Sequence, residues 1–393
     1  RESGLGIISC LNDELILEIL ETLGLLSTKY LLSIAFTKNI DKCSNLSLDE
    51  FNNKYAKPNL PVIITDIVTK WPAYNKWSMK SLKKKYGNIK FRAEAINIKL
   101  KEYERYLKNN LDENPLYLFD KKFGEKCQGI LDDFWVPDYF AEDFFNVLDK
   151  RPDYRWIIIG PSRSGSTFHK DPNSTSAWNA VIKGSKKWIM FPPDICPPGV
   201  FTSPAEVTAP FSLMEWYLNY YKEAQKLKIK PLEGICRAGE IIFVPNGWWH
   251  MVINLEDSIA ITQNFVGSHN LLNVLQFLRD KPNQISGFSS ESWPNREEIY
   301  NSFREKFQQN YPGILKELDD KLDNKLDNKL NDKLDDKLDN KLDNKLDNKL
   351  NNKLDDKLDN TNNNNNNKPL IWDKVKKCDE NETQNSFKFG FFG

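Results

Sequence analysis

Between Tyr154 and Phe265 apolar and polar positions alternate with a period of two, in short runs broken by turn chemistry. The runs are YRWIIIG (154–160), SAWNAVI (176–182), KKWIMFPP (186–193), EIIFVPNGWW (240–249), HMVINL (250–255) and SIAITQNF (258–265). Between them lie KGS (183–185), PNG (245–247) and EDS (256–258). Many short strands with regular turns predict a mainly β barrel or jelly roll over 151–268. On both sides the period changes. Leu11, Leu15, Ile19, Leu20 and Leu23 recur at three- and four-residue steps, and Asn12 or Asp13 can cap the first turn, so an amphipathic helical pair is expected within 1–45. Residues 46–150 read as mixed α/β, with PVIITDI (61–67) as a strand and KSLKKKYG (80–87) as a helix stopped by glycine. Helical spacing returns over 269–316, in HNLLNVLQFLRD (269–280) and REEIYNSFREKFQQNY (296–311).

From 317 to 367 the chain is low-complexity, with Lys-Leu-Asp-Asn tetrads followed by an asparagine run, and 368–393 form a tail. A four-residue repeat drifts about 40° per step on a helix of 3.6 residues per turn, so its leucines make no seam. Like charges also fall at i, i+4. The repeat reads as a solvated tether.

Composition narrows the function classes. The 393 residues include 23 Phe, 14 Tyr and 11 Trp, ample for a large core. Formal net charge is zero, and without the tetrads the balance is still 45 basic to 44 acidic residues, so no basic field signals nucleic-acid binding. Six dispersed cysteines without a CxxC pair argue against a zinc cluster or a disulfide framework and fit a reducing, intracellular compartment. No apolar run reaches the roughly 18 residues of a membrane span. The chain opens on Arg1 rather than Met, which leaves room for an upstream targeting signal.

Against that background FHKDPNSTSAWNAVIKGSKKW (168–188) stands out, because it holds one of three histidines two residues before an aspartate. On a strand, His169 and Asp171 share a face. Turned inward, the carboxylate would cost several kcal/mol unless compensated, and a cation shared with an imidazole is a compact compensation. A lone His-x-Asp also arises by chance or as a surface ion pair. His250, at the end of RAGEIIFVPNGWWH, supplies the third partner, and two histidines with one carboxylate form the facial triad of non-haem Fe(II) sites. His269 reads as structural or exposed. Lys186 shares a face with Trp188 and Met190, and an inward lysine there needs an anion, whereas Lys183 and Lys187 read as outward and solvated, the commoner fate of a lysine.

LSLDEF, PVII, KWSMKSLKKKYG, PLYLFD, YRWIIIGPSRSG, HKDP, TSAWNAVIKGSKKW, FVPNGWWH and AITQNF, in this order between Leu46 and Asp280, resemble the JmjC oxygenases. The specific likeness is to the phosphatidylserine-receptor-like branch of arginine demethylases and lysyl hydroxylases. The resemblance implies a double-stranded β-helix with flanking helices, and Fe(II) held by His169, Asp171 and His250. 2-Oxoglutarate and O2 are the implied cosubstrates. It also implies that Lys186 meets the distal carboxylate of 2-oxoglutarate, with hydroxyls from Ser166 and Thr262, the Asn179 amide and the Tyr117 phenol nearby. Ser166 replaces the usual threonine and keeps its donor. Asn264 shares the parity of Thr262 and is expected to face the metal. Asn179 and Tyr117 also admit a reading as buried hydrogen-bonding residues without a ligand. Decarboxylation of 2-oxoglutarate to succinate and CO2 would drive hydroxylation of a lysyl carbon or of an N-methyl group, and the latter releases formaldehyde. A protein substrate is implied, with histones and RNA-processing factors as candidates and the nucleus as the expected compartment.

The N-terminal order LNDELILEIL followed by LLS resembles the first half of an F-box, with Asn12 where that family has proline. It suggests a second function, a ubiquitin-ligase adaptor docking through residues 1–45 and reading substrates with the barrel.

Overall fold

The structure, a computed structural model, describes residues 39–203, 207–210, 212–316 and 318. The F-box-like stretch up to residue 38, nearly all of the repeat, and the tail lie outside the described residues. The chain divides into two units between Pro312 and Gly313, and the first holds every strand found among the described residues.

Its strands run β1 (Asp41–Cys43), β2 (Val62–Ile64), β3 (Lys90–Ala93), β4 (Ile96–Lys99), β5 (Leu118–Asp120), β6 (Arg155–Gly160), β7 (Gly165–His169) and β8 (Ser176–Lys183). They continue through β9 (Ser185–Phe191), β10 (Phe201–Thr202), β11 (Val207–Thr208), β12 (Leu232–Arg237), β13 (Ile241–Val244), β14 (Trp249–Asn254) and β15 (Ser258–Phe265). A large sheet has the order β1-β2-β13-β8-β15-β6-β5-β3-β4, and a small one β12-β9-β14-β7. From β6 to β9 and again from β12 to β15, successive strands alternate between the two sheets and pair antiparallel within each. The result is the expected double-stranded β-helix. Gly184 and Gly247 take positive φ in the KGS and PNG turns, where a side chain would be strained.

Three apolar layers follow from the period of two. Trp178, Phe243 and Phe265 point outward from the large sheet, onto Phe51, Trp71, Tyr103 and Phe140 of the N-terminal part. Ala177, Val181, Trp188, Met190, Ile242 and Val252 fill the space between the sheets. Phe168, Ile189, Phe191, Met251 and Ile253 face out of the small sheet and would be wet, but helix Leu213–Ala224 covers them with Trp216 and Tyr217. That helix has no counterpart in the alternation pattern. It starts where the Ser212 side chain accepts from Glu215 N–H.

The cover overturns one expectation. Lys187, expected to be solvated, is fully buried under this helix and pairs with buried Glu233 at 2.8 Å. The Glu233 carboxylate also accepts from Tyr221 Oη at 3.0 Å and Gln225 Nε2 at 2.8 Å. A charge can be outward from one sheet and still dry. His269 is structural, as one of its two readings had it, half-buried and not part of the His169 cluster. Its Nε2 lies 3.0 Å from Ser176 Oγ, its ring packs on Phe243 and Phe265, and burial lowers its pKa to about 4.

Candidate metal and cosubstrate site

His169 ends β7 and His250 lies directly opposite it on β14, so the two rings stand 4.2 Å apart between centroids. Asp171 is not on the strand, as the spacing suggested. It lies past the strand end and leads into the tight turn Pro172–Ser174, with extended φ −61° and ψ 147° that return its side chain toward the imidazoles. One donor atom from each of the three side chains lies within 4.8 Å of the others.

The protonation states suit a cation. His169 Nδ1 lies 2.7 Å from Thr167 O and His250 Nδ1 lies 3.1 Å from Trp248 O, which assigns the ring protons to Nδ1 and leaves Nε2 as the lone-pair donor of each ring. Burial lowers both imidazoles to about 4, and for His169 the neighbouring His250 adds to the effect, so both are neutral near pH 7. Burial raises the Asp171 carboxyl, against His169 and a hydrogen bond from Asn264. Its Oδ2 is buried without a hydrogen-bond partner. Two neutral imidazoles and an orphaned carboxylate oxygen fit a divalent first-row metal.

Ser166 joins this face through a bulge. His250 pairs with His169 and Val252 with Ser166, so β7 spends three residues where β14 spends two. A regular strand would turn Ser166 and His169 to opposite faces; the bulge turns both inward. Gly165 makes the close approach possible, since a Cβ there would fall 1.9 Å from Val252 O.

Deeper in the barrel Lys186 is fully buried. Its Nζ donates to Tyr117 Oη at 2.8 Å and to Asn254 Oδ1 at 2.7 Å, and Asn254 Nδ2 donates to Ser164 Oγ at 2.8 Å. Among the described residues no carboxylate pairs with it, and burial pulls its pKa down to about 7. Burial also drives the Tyr117 phenol upward, so it stays protonated. Asn254 and Ser164 escaped the sequence reading. The signal for Asn254 was there: it lies four residues after His250 on the same strand and so shares its inward face. Gly160 opens the floor, because a Cβ would stand 2.3 Å from Ser164 Oγ and 2.5 Å from Tyr117 Cδ2.

The remaining expected residues divide. Asn179 pairs across with Thr262, and its Oδ1 is buried without a partner, as is Trp188 Nε1. Thr262 Oγ1 donates to Trp178 O at 2.9 Å, so its hydroxyl is already engaged. Asn264 lies on the Asp171 side of the cavity, where its Nδ2 donates to Thr175 Oγ1 at 2.8 Å.

A family model described as the cupin-like domain matches residues 48–270. The chain belongs to the cupin-like family. This cupin-like chain is 51% identical over 286 residues to the arginine-specific demethylase JMJ22 of Arabidopsis thaliana, covering 72% of this chain and 56% of that protein. It is 38% identical over 244 residues to the bifunctional arginine demethylase and lysyl-hydroxylase psr-1 of Caenorhabditis elegans (58% and 61% covered). To the 2-oxoglutarate and iron-dependent oxygenase JMJD4 of Gallus gallus it is 31% identical over 281 residues (62% and 63% covered). It therefore spans less than two thirds of the length of these curated relatives. The expected kinship with JmjC demethylases and hydroxylases is borne out.

Proposed function

We propose that the chain is an Fe(II)- and 2-oxoglutarate-dependent protein oxygenase that acts on a lysyl carbon or on an N-methyl group of arginine. The observation that carries this reading is Lys186: a dry ammonium, met by a phenol and an amide and, among the described residues, by no carboxylate, on the strand β9 that pairs with the β14 of His250, whose His-Asp-His cluster has an orphaned oxygen. A dicarboxylate that bridges the two answers both deficits. The names of JMJ22, psr-1 and JMJD4 support the same class.

In this reading His169, Asp171 and His250 hold the metal. Lys186 and Tyr117 bind the distal carboxylate of 2-oxoglutarate, and Asn254 keeps the ammonium aimed at it. Ser166, Thr262 and Asn179 line the body of the cosubstrate, while Asn264 steadies Asp171 beside the metal. Iron with 2-oxoglutarate and O2 supplies the oxidising power for breaking a C–H bond of the substrate. The protein's own work is to exclude water, fix the cosubstrate and present one carbon. A protein substrate follows from this class, and histones and RNA-processing factors are our candidates, which would place the enzyme in the nucleus.

The ligase-adaptor reading draws no support from these relatives, and residues 1–38, which carried most of it, lie outside the described ones. Succinate formation that requires both Fe(II) and 2-oxoglutarate, followed by mass spectrometry of histone and splicing-factor peptides, tests the proposal. Added oxygen on lysine identifies a hydroxylase and formaldehyde release a demethylase. No succinate under any metal or substrate condition overturns it.

A further inference from the structure

The loop that carries Asp171 from β7 toward β8 has an uncommon backbone. Past Asp171 and Pro172, Asn173 adopts φ 54°, ψ 24° and Ser174 φ 58°, two consecutive residues with side chains in the left-handed region. Asparagine tolerates that region better than most residues, yet Asn173 does not use its side chain for a local turn. The amide is buried and engaged at both ends by one distant residue. Its Nδ2 donates to Ser286 O at 2.9 Å, and its Oδ1 accepts from Ser286 N–H at 3.0 Å. One side chain thereby pairs with the backbone of a segment 113 residues away, as a neighbouring strand would.

The segment so gripped is itself fixed. Gly287, with φ 77°, accepts from Asp153 N–H at 2.8 Å through its carbonyl, and Ile285 and Phe288 on either side are buried. A second amide reinforces the loop from the same quarter: Asn270 Nδ2 donates to Ser174 O at 3.2 Å while its Oδ1 accepts from Gly267 N–H at 2.9 Å. The turn closes on itself through Thr175 N–H and Oγ1, both donating to Pro172 O.

We propose that Asn173 is a positioning residue for the metal centre, which acts by clamping the Asp171 loop to the Ser286 backbone. It is not a ligand, since both polar atoms of its amide are spent on Ser286. Asp171 stands two residues before it, past the end of the β7 ladder, so strand pairing does not hold its backbone, although Asn264 of β15 hydrogen-bonds its carboxylate. A loop free to swing would have to be ordered when the cation binds, and the clamp removes that cost beforehand. Outer partners of this kind typically change metal affinity by about ten- to a hundredfold when removed. By linkage the coupling is reciprocal: the metal must tighten the clamp as much as the clamp tightens the metal.

This inference rests on the metal assignment, and its test separates the two. Asn173→Gly keeps the left-handed backbone accessible and deletes only the amide. Titration of the metal-free full chain with Mn(II) should give a dissociation constant about ten- to a hundredfold weaker than wild type. Hydrogen exchange supplies a readout that a merely structural role would not move. In the wild type, Mn(II) should slow exchange of the Ser286 amide, and in Asn173→Gly that response should vanish. An affinity within twofold of wild type overturns the proposal, as does a wild-type Ser286 amide whose exchange ignores Mn(II). The second measurement stands even if the variant fails to fold. A wild type that binds no Mn(II) at all would instead sink the metal assignment.

Discussion

Lys186 and Lys187 are adjacent on β9, both fully buried, and opposite in role. Lys187 has its carboxylate, Glu233, and Lys186 finds none among the described residues. Lys187→Ala should strand Glu233 in a dry site and cost about 3–5 kcal/mol in chemical denaturation, while Lys187→Met with Glu233→Gln should recover much of it. A single variant as stable as wild type would contradict the burial. Lys186→Ala should fold and keep Mn(II), yet bind 2-oxoglutarate about thirty- to several-thousandfold more weakly by calorimetric titration. The pH dependence carries a definite sign. The free ammonium has its pKa lowered to about 7, and a bound anion raises it, so above about pH 7 binding must first recapture a proton. Affinity for 2-oxoglutarate should therefore fall with rising pH, by up to about tenfold per unit. Affinity that holds level from pH 6 to about 9 would show that Lys186 does not meet the carboxylate.

At the scale of elements, the β7–β14 pair and the loop after β7 build the candidate metal site by different means. The pair fixes the imidazoles through register, and the bulge at Ser166 depends on Gly165. Gly165→Ala should push β7 off β14 and lose stability and Mn(II) binding together, read by thermal melting and titration of the same sample. Asp171→Ala should separate them. It abolishes metal binding and turnover, but removes a buried carboxylate with an orphaned oxygen, so the metal-free variant should melt no lower than metal-free wild type. A large drop in melting temperature in chelator would mean that the hydrogen bond from Asn264 outweighs the cost of burying the carboxylate. Much of this was legible beforehand: the strands, the KGS and PNG turns and the inward faces of His169 and His250 follow from alternation and residue type, and Asp171 from residue type alone. The bulge and the cover over β9 did not, because each depends on residues remote in sequence.

For the whole molecule, deletion of residues 321–367 should leave the melting temperature and 2-oxoglutarate turnover unchanged, since drifting leucines and like-charged neighbours offer no face to dock. A fall of several degrees would show that the repeat packs. The sequence by itself determined that a barrel of short strands forms over 151–268, that helical segments follow it, and that His169 and His250 can turn inward, because a period of two dictates which residues share a face, whereas Asp171 is brought to them by the loop after β7. It could not say which faces are wet. All seven residues of β9 are buried, since the second sheet closes one side and helix Leu213–Ala224 the other. Only the tertiary structure decided that Lys186 finds Asn254, 68 residues away, beside the Tyr117 phenol that the resemblance implied, and no carboxylate among the described residues. Solvation is set by what covers a face, and the cover comes from elsewhere in the chain.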